Sequence, residues 1–106
     1  MKITKVEPLH IGQFMFCRID TDEGIHGIGE AGAWGHTEAA ATAIRRFAEY
    51  LVGKDPAPIE HHWNVMHRYS YFQGLPINAG ISALDTALWD IQGKARGQTA
   101  PALSGG

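Results

Sequence analysis

This chain of 106 residues has one cysteine, little surplus of either charge, and no apolar run near membrane-spanning length. Each scarcity excludes something. A single thiol, Cys17, closes no internal disulfide, and its place in an apolar run marks it as a small buried residue rather than a nucleophile. A helix across a bilayer takes about 20 consecutive apolar residues, and no such stretch occurs. The start, Met1-Lys2-Ile3-Thr4-Lys5-Val6-Glu7, lacks the unbroken apolar core of a secretory leader, so a cytoplasmic protein is expected. The net charge is -2, with acids and bases interleaved. No basic stripe exists to hold a phosphate backbone, so neither nucleic acid nor a membrane is an expected partner. There is also no internal repeat and no low-complexity tract.

What is present is an ordinary globular balance, 44% hydrophobic and 19% charged, which argues against disorder. The length suits one domain that buries about two-thirds of its unfolded surface. Strands come first. Ile3 to His10 alternates loosely, with Ile3, Lys5 and Glu7 facing one way and Thr4, Val6 and Pro8 the other. Phe14 to Thr21 sets Phe14, Phe16 and Arg18 against Met15, Cys17 and Ile19. Asp20-Thr21-Asp22-Glu23-Gly24 holds turn residues, and Ile25 to Ala31 makes a third strand. Short loops between successive strands predict an antiparallel three-stranded meander.

Three helices follow. Thr37 is positioned to cap the first, with Glu38 at its positive end, a face of Ala40, Ile44, Phe47 and Leu51, and Gly53 as its stop. Asp55, Pro56 and Pro58 open the second, whose expected face is Ile59, Trp63, Met66 and Tyr69. The third starts at Pro76 and carries Ile77, Ile81, Leu84, Leu88 and Ile91 on one stripe, widened by Ala83 and Trp89. Asp90 and Lys94 form an i,i+4 pair in the favourable order, and Lys94, Arg96 and Gly97 mark the end. Strands before helices predict an α+β fold rather than alternating α/β. The stripe of the third helix is wider than one small core needs. The expectation is therefore a second surface from outside these residues. Residues 1–97 read as one domain, and Gln98 to Gly106 as a linker leaving it.

Few residues signal chemistry. Gly27-Ile28-Gly29-Glu30-Ala31-Gly32 fits the dinucleotide pattern G-x-G-x-x-G. No βαβ unit surrounds it, and Glu30 would set a carboxylate where a pyrophosphate must sit, so the glycines read as sites of close backbone packing. His61, His62 and His67 have spacings of five and six, which do not bring two imidazoles to one helical face, and they read as a solvated or hydrogen-bonded helix surface. Trp34 and His36, on a glycine-flanked loop between the last strand and the first helix, are candidates to wall a pocket and to donate to an oxygen-rich ligand. Gln13 and Phe14 in the first hairpin are a second pair of candidates, and Tyr71 and Phe72 a third. Asp85 and Asp90 project about 140° apart on their helix and cannot meet at one reacting atom. No catalytic residue and no metal ligand is expected in this chain.

Thr21-Asp22-Glu23-Gly24-Ile25-His26-Gly27-Ile28-Gly29-Glu30-Ala31 resembles the second hairpin of the enolase superfamily, in its mandelate racemase and muconate lactonizing branch. Gly80-Ile81-Ser82-Ala83-Leu84-Asp85-Thr86-Ala87-Leu88-Trp89-Asp90-Ile91-Gln92-Gly93-Lys94-Ala95-Arg96-Gly97 resembles the last helix of that family's capping domain. Leu51-Val52-Gly53-Lys54-Asp55-Pro56 matches in style, and Ser104-Gly105-Gly106 resembles the Gly-Gly that ends the cap, with serine where leucine is commoner. The resemblance implies an N-terminal α+β cap over a modified (β/α) barrel that is absent here. In such a parent the barrel holds Mg²⁺ and the acid–base residues, and cap loops choose the substrate. It further implies a homo-oligomeric parent. The loop from Leu9 to Gln13 is short, which leaves a roomier pocket, and the general look, including Tyr69-Ser70-Tyr71-Phe72-Gln73-Gly74, resembles the acid-sugar dehydratases, so the implied substrate is a sugar acid, and no turnover is expected from this chain alone. The other readings are a stand-alone interaction or dimerisation module without catalysis, and the cap of a racemase or cycloisomerase.

Overall fold

A computed structural model describes residues 1–32, 37–68 and 75–97. The chain runs β1 (Ile3–Ile11), β2 (Phe14–Thr21), β3 (His26–Ala31), α1 (Thr37–Leu51), α2 (Ile59–Arg68) and α3 (Leu75–Ala95). The strands form one antiparallel sheet in the order β1-β2-β3. This is the α+β meander followed by three helices that the residue pattern predicts.

Alternation works as expected on β2, where Met15, Cys17 and Ile19 are buried under the helices. Burial pushes the Cys17 thiol up to about 12, which keeps it protonated and unreactive. On β1 the expected facing is wrong. The register slips between Ile3 and Lys5, which pair with Thr21 and Asp20 in turn. This irregularity puts both Ile3 and Val6 into the core, where strict alternation sets them on opposite faces.

Two glycines decide how α3 meets the sheet. Gly27 and Gly29 face α3 from β3, and a Cβ on either would fall onto the carbonyls of Ala87 and Ala83 respectively. The G-x-G run is therefore a seat for a helix backbone, as its lack of a βαβ setting predicts. On the other side, Gly80 sits close under Ala43 of α1, where a Cβ would come within 3.1 Å of the alanine methyl. Small residues on both elements let the helices cross closely.

These contacts overturn the expectation of a missing second surface. Ile81, Ala83, Leu84, Ala87, Leu88 and Ile91 are all buried within this chain, between the sheet on one side and α1 and α2 on the other. A helix pressed from two sides needs a wide apolar stripe, and this fold supplies both sides itself. Trp89, at the margin of the stripe, is only partly buried.

The second helix also differs. Its buried residues are Ile59, His62 and Met66, whereas Trp63 is 40% exposed. His62 is held by two bonds of 2.7 Å, one to the Tyr50 hydroxyl at Nδ1 and one to the Asp55 carbonyl at Nε2. A carbonyl only accepts, so Nε2 carries a proton, and in the neutral ring the Tyr50 hydroxyl donates to Nδ1. Each sheet edge is bonded near one end. The Gly53–Lys54 turn bonds to Ile3 on β1, the Asp90 carboxylate accepts from the Ile28 N–H, and Lys94 donates to the His26 carbonyl on β3.

Candidate functional site

The β1–β2 hairpin turns over Gly12 and Gln13, with Ile11 and Phe14 as cross-strand partners. Gly12 takes the positive φ of 61° that a tight hairpin requires. The register that buries Met15 and Cys17 leaves the tip projecting past the helices. Ile11 is 59% exposed and Phe14 50%, the two most exposed large apolar side chains among the described residues. Gln13 sits exposed between them. The tip therefore offers one aromatic face, one aliphatic side chain and one amide that both donates and accepts.

Two contacts tie this hairpin to the end of β3 and the start of α1. Ala31, the last residue of β3, pairs with Met15. Glu38, in the first turn of α1, meets His10 at 3.3 Å. The flanks of the segment 33–36 are thus anchored beside the hairpin. Trp34 and His36 themselves lie outside the described residues, as do Tyr71 and Phe72.

A second concavity, of about 410 Å³, opens between α2 and α3. Ile59, Glu60, Trp63, Asn64, Asp85 and Trp89 line it. Burial pushes the Asp85 carboxyl above its ordinary range, and a hydrogen bond from Trp89 opposes that rise. Trp63 stacks on His67 with ring centroids 4.3 Å apart, which fixes its indole at the rim.

Among the described residues, no group of three His, Cys, Asp or Glu side chains is placed to hold a metal ion. Asp90 is committed to Ile28 and Lys94, and His62 to Tyr50 and Asp55. These residues do not fit a Mg²⁺ site. No described helix is long and apolar enough to cross a membrane. The residue that sequence reasoning missed is His62. Apolarity alone selects Trp63 as the inward residue of α2, and the carbonyl that holds His62 inward belongs to Asp55, outside the helix.

The model of the mandelate racemase / muconate lactonizing enzyme N-terminal domain matches residues 3–105. The D-galactonate dehydratase of Pectobacterium atrosepticum is 42% identical over 108 aligned positions, which cover 100% of this chain and 28% of that protein. An enolase from Pantoea ananatis, solved with bound D-gluconate and Mg, superposes with a TM-score of 0.85 at 34% identity, over 90% of this chain and 25% of that one. An enolase from Agrobacterium radiobacter, solved with bound Na and L-malate, gives 0.88 at 30% identity, over 100% of this chain and 28% of that one. The chain therefore spans little more than a quarter of the length of the relatives it matches.

Proposed function

Because the chain belongs to the N-terminal domain family of mandelate racemase and muconate lactonizing enzyme, within the enolase superfamily, we propose that it is the substrate-choosing lid of a sugar-acid dehydratase. On this reading residues 1–97 are the lid and 98–106 lead into a C-terminal barrel that completes the protein. The observation that carries the reading is the match, along all of this chain and 28% of the relative, to a D-galactonate dehydratase at 42% identity. Lid loops select the substrate in this scheme, so likeness across the whole lid bears on substrate more directly than likeness of fold.

The reaction removes the proton on C2 of an aldonate and expels the C3 hydroxyl as water. The resulting enol tautomerises to a 2-keto-3-deoxy acid. An α-proton beside a carboxylate is weakly acidic, so the step takes a cation at the developing oxyanion and a base beside the carbon. Those groups belong, on this reading, to the C-terminal barrel, with Mg²⁺ as the cation. The lid's own part is to bind and to shield. Phe14 and Ile11 lie against the carbon side of the sugar acid and exclude water, and the Gln13 amide bonds its hydroxyls. Trp34 and His36 are the further substrate-binding residues of this reading, on residue type and sequence position alone. The two-residue hairpin turn leaves room for an extended six-carbon acid.

The full-length protein, assayed on a panel of aldonates and aldarates for 2-keto-3-deoxy acid, is expected to turn over a hexonate. Gln13→Ala is expected to raise KM about ten-fold, the loss of one to two hydrogen bonds. Activity confined to N-acyl amino acids or dipeptides would remove the dehydratase reading while leaving the family assignment intact.

A further inference from the structure

The groove between α2 and α3 has a composition that the lid's substrate-facing edge does not explain. Its walls are two indoles, Trp63 and Trp89, and its polar groups are the carboxylates of Asp85 and Glu60 with the Asn64 amide. No lysine or arginine lines it. Among the described residues, Asp85 has no cationic partner. At about 100° per residue, Asp85 lies some 200° round α3 from Ala83 and Trp89 some 240°, so both point away from the sheet. The apolar stripe of α3 is already covered inside the chain. Asp85 and Trp89 on this flank are half-buried, beside the exposed Asn78, Ser82 and Thr86.

We infer that this groove is where the lid docks on the rest of its own protein, and that its occupant is an arginine side chain of the C-terminal domain. The inference rests on the lid reading and names the partner of that lid. Three observations support it. A planar guanidinium stacks on indole faces and takes a carboxylate at two points, which matches a groove of two tryptophans and two acids. A partly desolvated carboxylate whose burial outweighs its hydrogen bond from Trp89 keeps a residual cost that an arginine removes. The chain leaves α3 at Ala95, about 9 Å along the helix axis from Trp89 and about 15 Å from Asp85, which on the lid reading puts the groove within reach of the C-terminal domain. The relatives are more than three times the length of this chain, which gives such a domain ample size. A second copy of this chain suits the groove poorly. A two-fold contact would set Asp85 and Glu60 against their own copies, acid against acid.

Hydrogen exchange on the full-length protein tests this. Asp85→Asn and Trp63→Ala are each expected to speed exchange of the α2 amides, residues 59–68, by at least about ten-fold as the docked face opens. Amides of Cys17 and Ile19 in the central strand are expected to keep their rates, which separates undocking from unfolding. Asp85→Glu keeps the charge and is expected to retain most of the protection. Unchanged α2 exchange in both variants would overturn the proposal. Protection that appears only at high protein concentration would overturn it too, since a second copy would then be the occupant. Failure of the lid reading shows elsewhere, as a wild-type protein that dehydrates no sugar acid whatever its exchange pattern.

Discussion

A Cβ at Gly29 would land on the carbonyl of Ala83, and backbone stands on both sides of that contact. No rotamer change relieves such a clash, so either β3 or α3 must move. Gly29→Ala is therefore expected to destabilise the chain by about 3 kcal/mol or more, at the upper end for overpacking. Urea unfolding measures it directly. A loss under about 1 kcal/mol would mean that α3 does not lie on β3 as closely as described. The same residue shows what local reading reveals. That the glycines serve packing rather than phosphate binding follows from the absence of a βαβ frame and from Glu30. Which backbone they admit does not follow, because Ala83 and Ala87 lie more than fifty residues away in sequence.

Among the elements, β2 was the most legible and α2 the least. β2 is central in the sheet and regularly paired on both edges, so period-two alternation maps onto burial without loss. β1 carries an irregularity, and one slipped residue inverts the facing of Ile3 relative to Val6. In α2 the misleading residue is His62, whose polarity suggests solvent. It is buried because two partners from other elements satisfy both ring nitrogens, and neither partner is visible in the helix's own sequence. The pairing gives a sharp test. His62→Ala is expected to cost about 3 kcal/mol, from the cavity and from the bonds lost by Tyr50 and Asp55. Tyr50→Phe alone is expected to cost about 1 kcal/mol and to cost almost nothing on top of His62→Ala. Additive losses in that double-mutant cycle would show that Tyr50 and His62 do not act as one unit. The hairpin tip was legible as a pair of candidates, Gln13 and Phe14. Its exposure was not, because tip exposure depends on where the helices stop covering the sheet.

For the molecule as a whole, the width of the α3 stripe turns out to say nothing about a missing domain. The sheet, α1 and α2 enclose it, and the Cα radius of gyration of 12.8 Å equals the about 12.9 Å expected of a compact domain of this length. The argument for a C-terminal partner rests instead on the relatives' greater length and on the tryptophan-walled groove left open beside the chain's exit. The apolar stripe and the groove, each taken as the docking face, predict opposite behaviour for residues 1–106 expressed alone. An orphan missing half of its core would be sticky, would bind hydrophobic dyes strongly, and would lose far-UV and near-UV signals at different urea concentrations. A lid with a sealed core and one polar-rimmed docking groove would unfold in a single transition with coincident probes and bind little dye. The enclosed stripe favours the second outcome. Far-UV circular dichroism and tyrosine and tryptophan fluorescence, followed through the same urea titration, are expected to superimpose. Strong dye binding in native buffer would restore the view that α3 was built to rest on a surface outside this chain, and would move the docking face from the Trp63–Trp89 groove to the helix's apolar stripe.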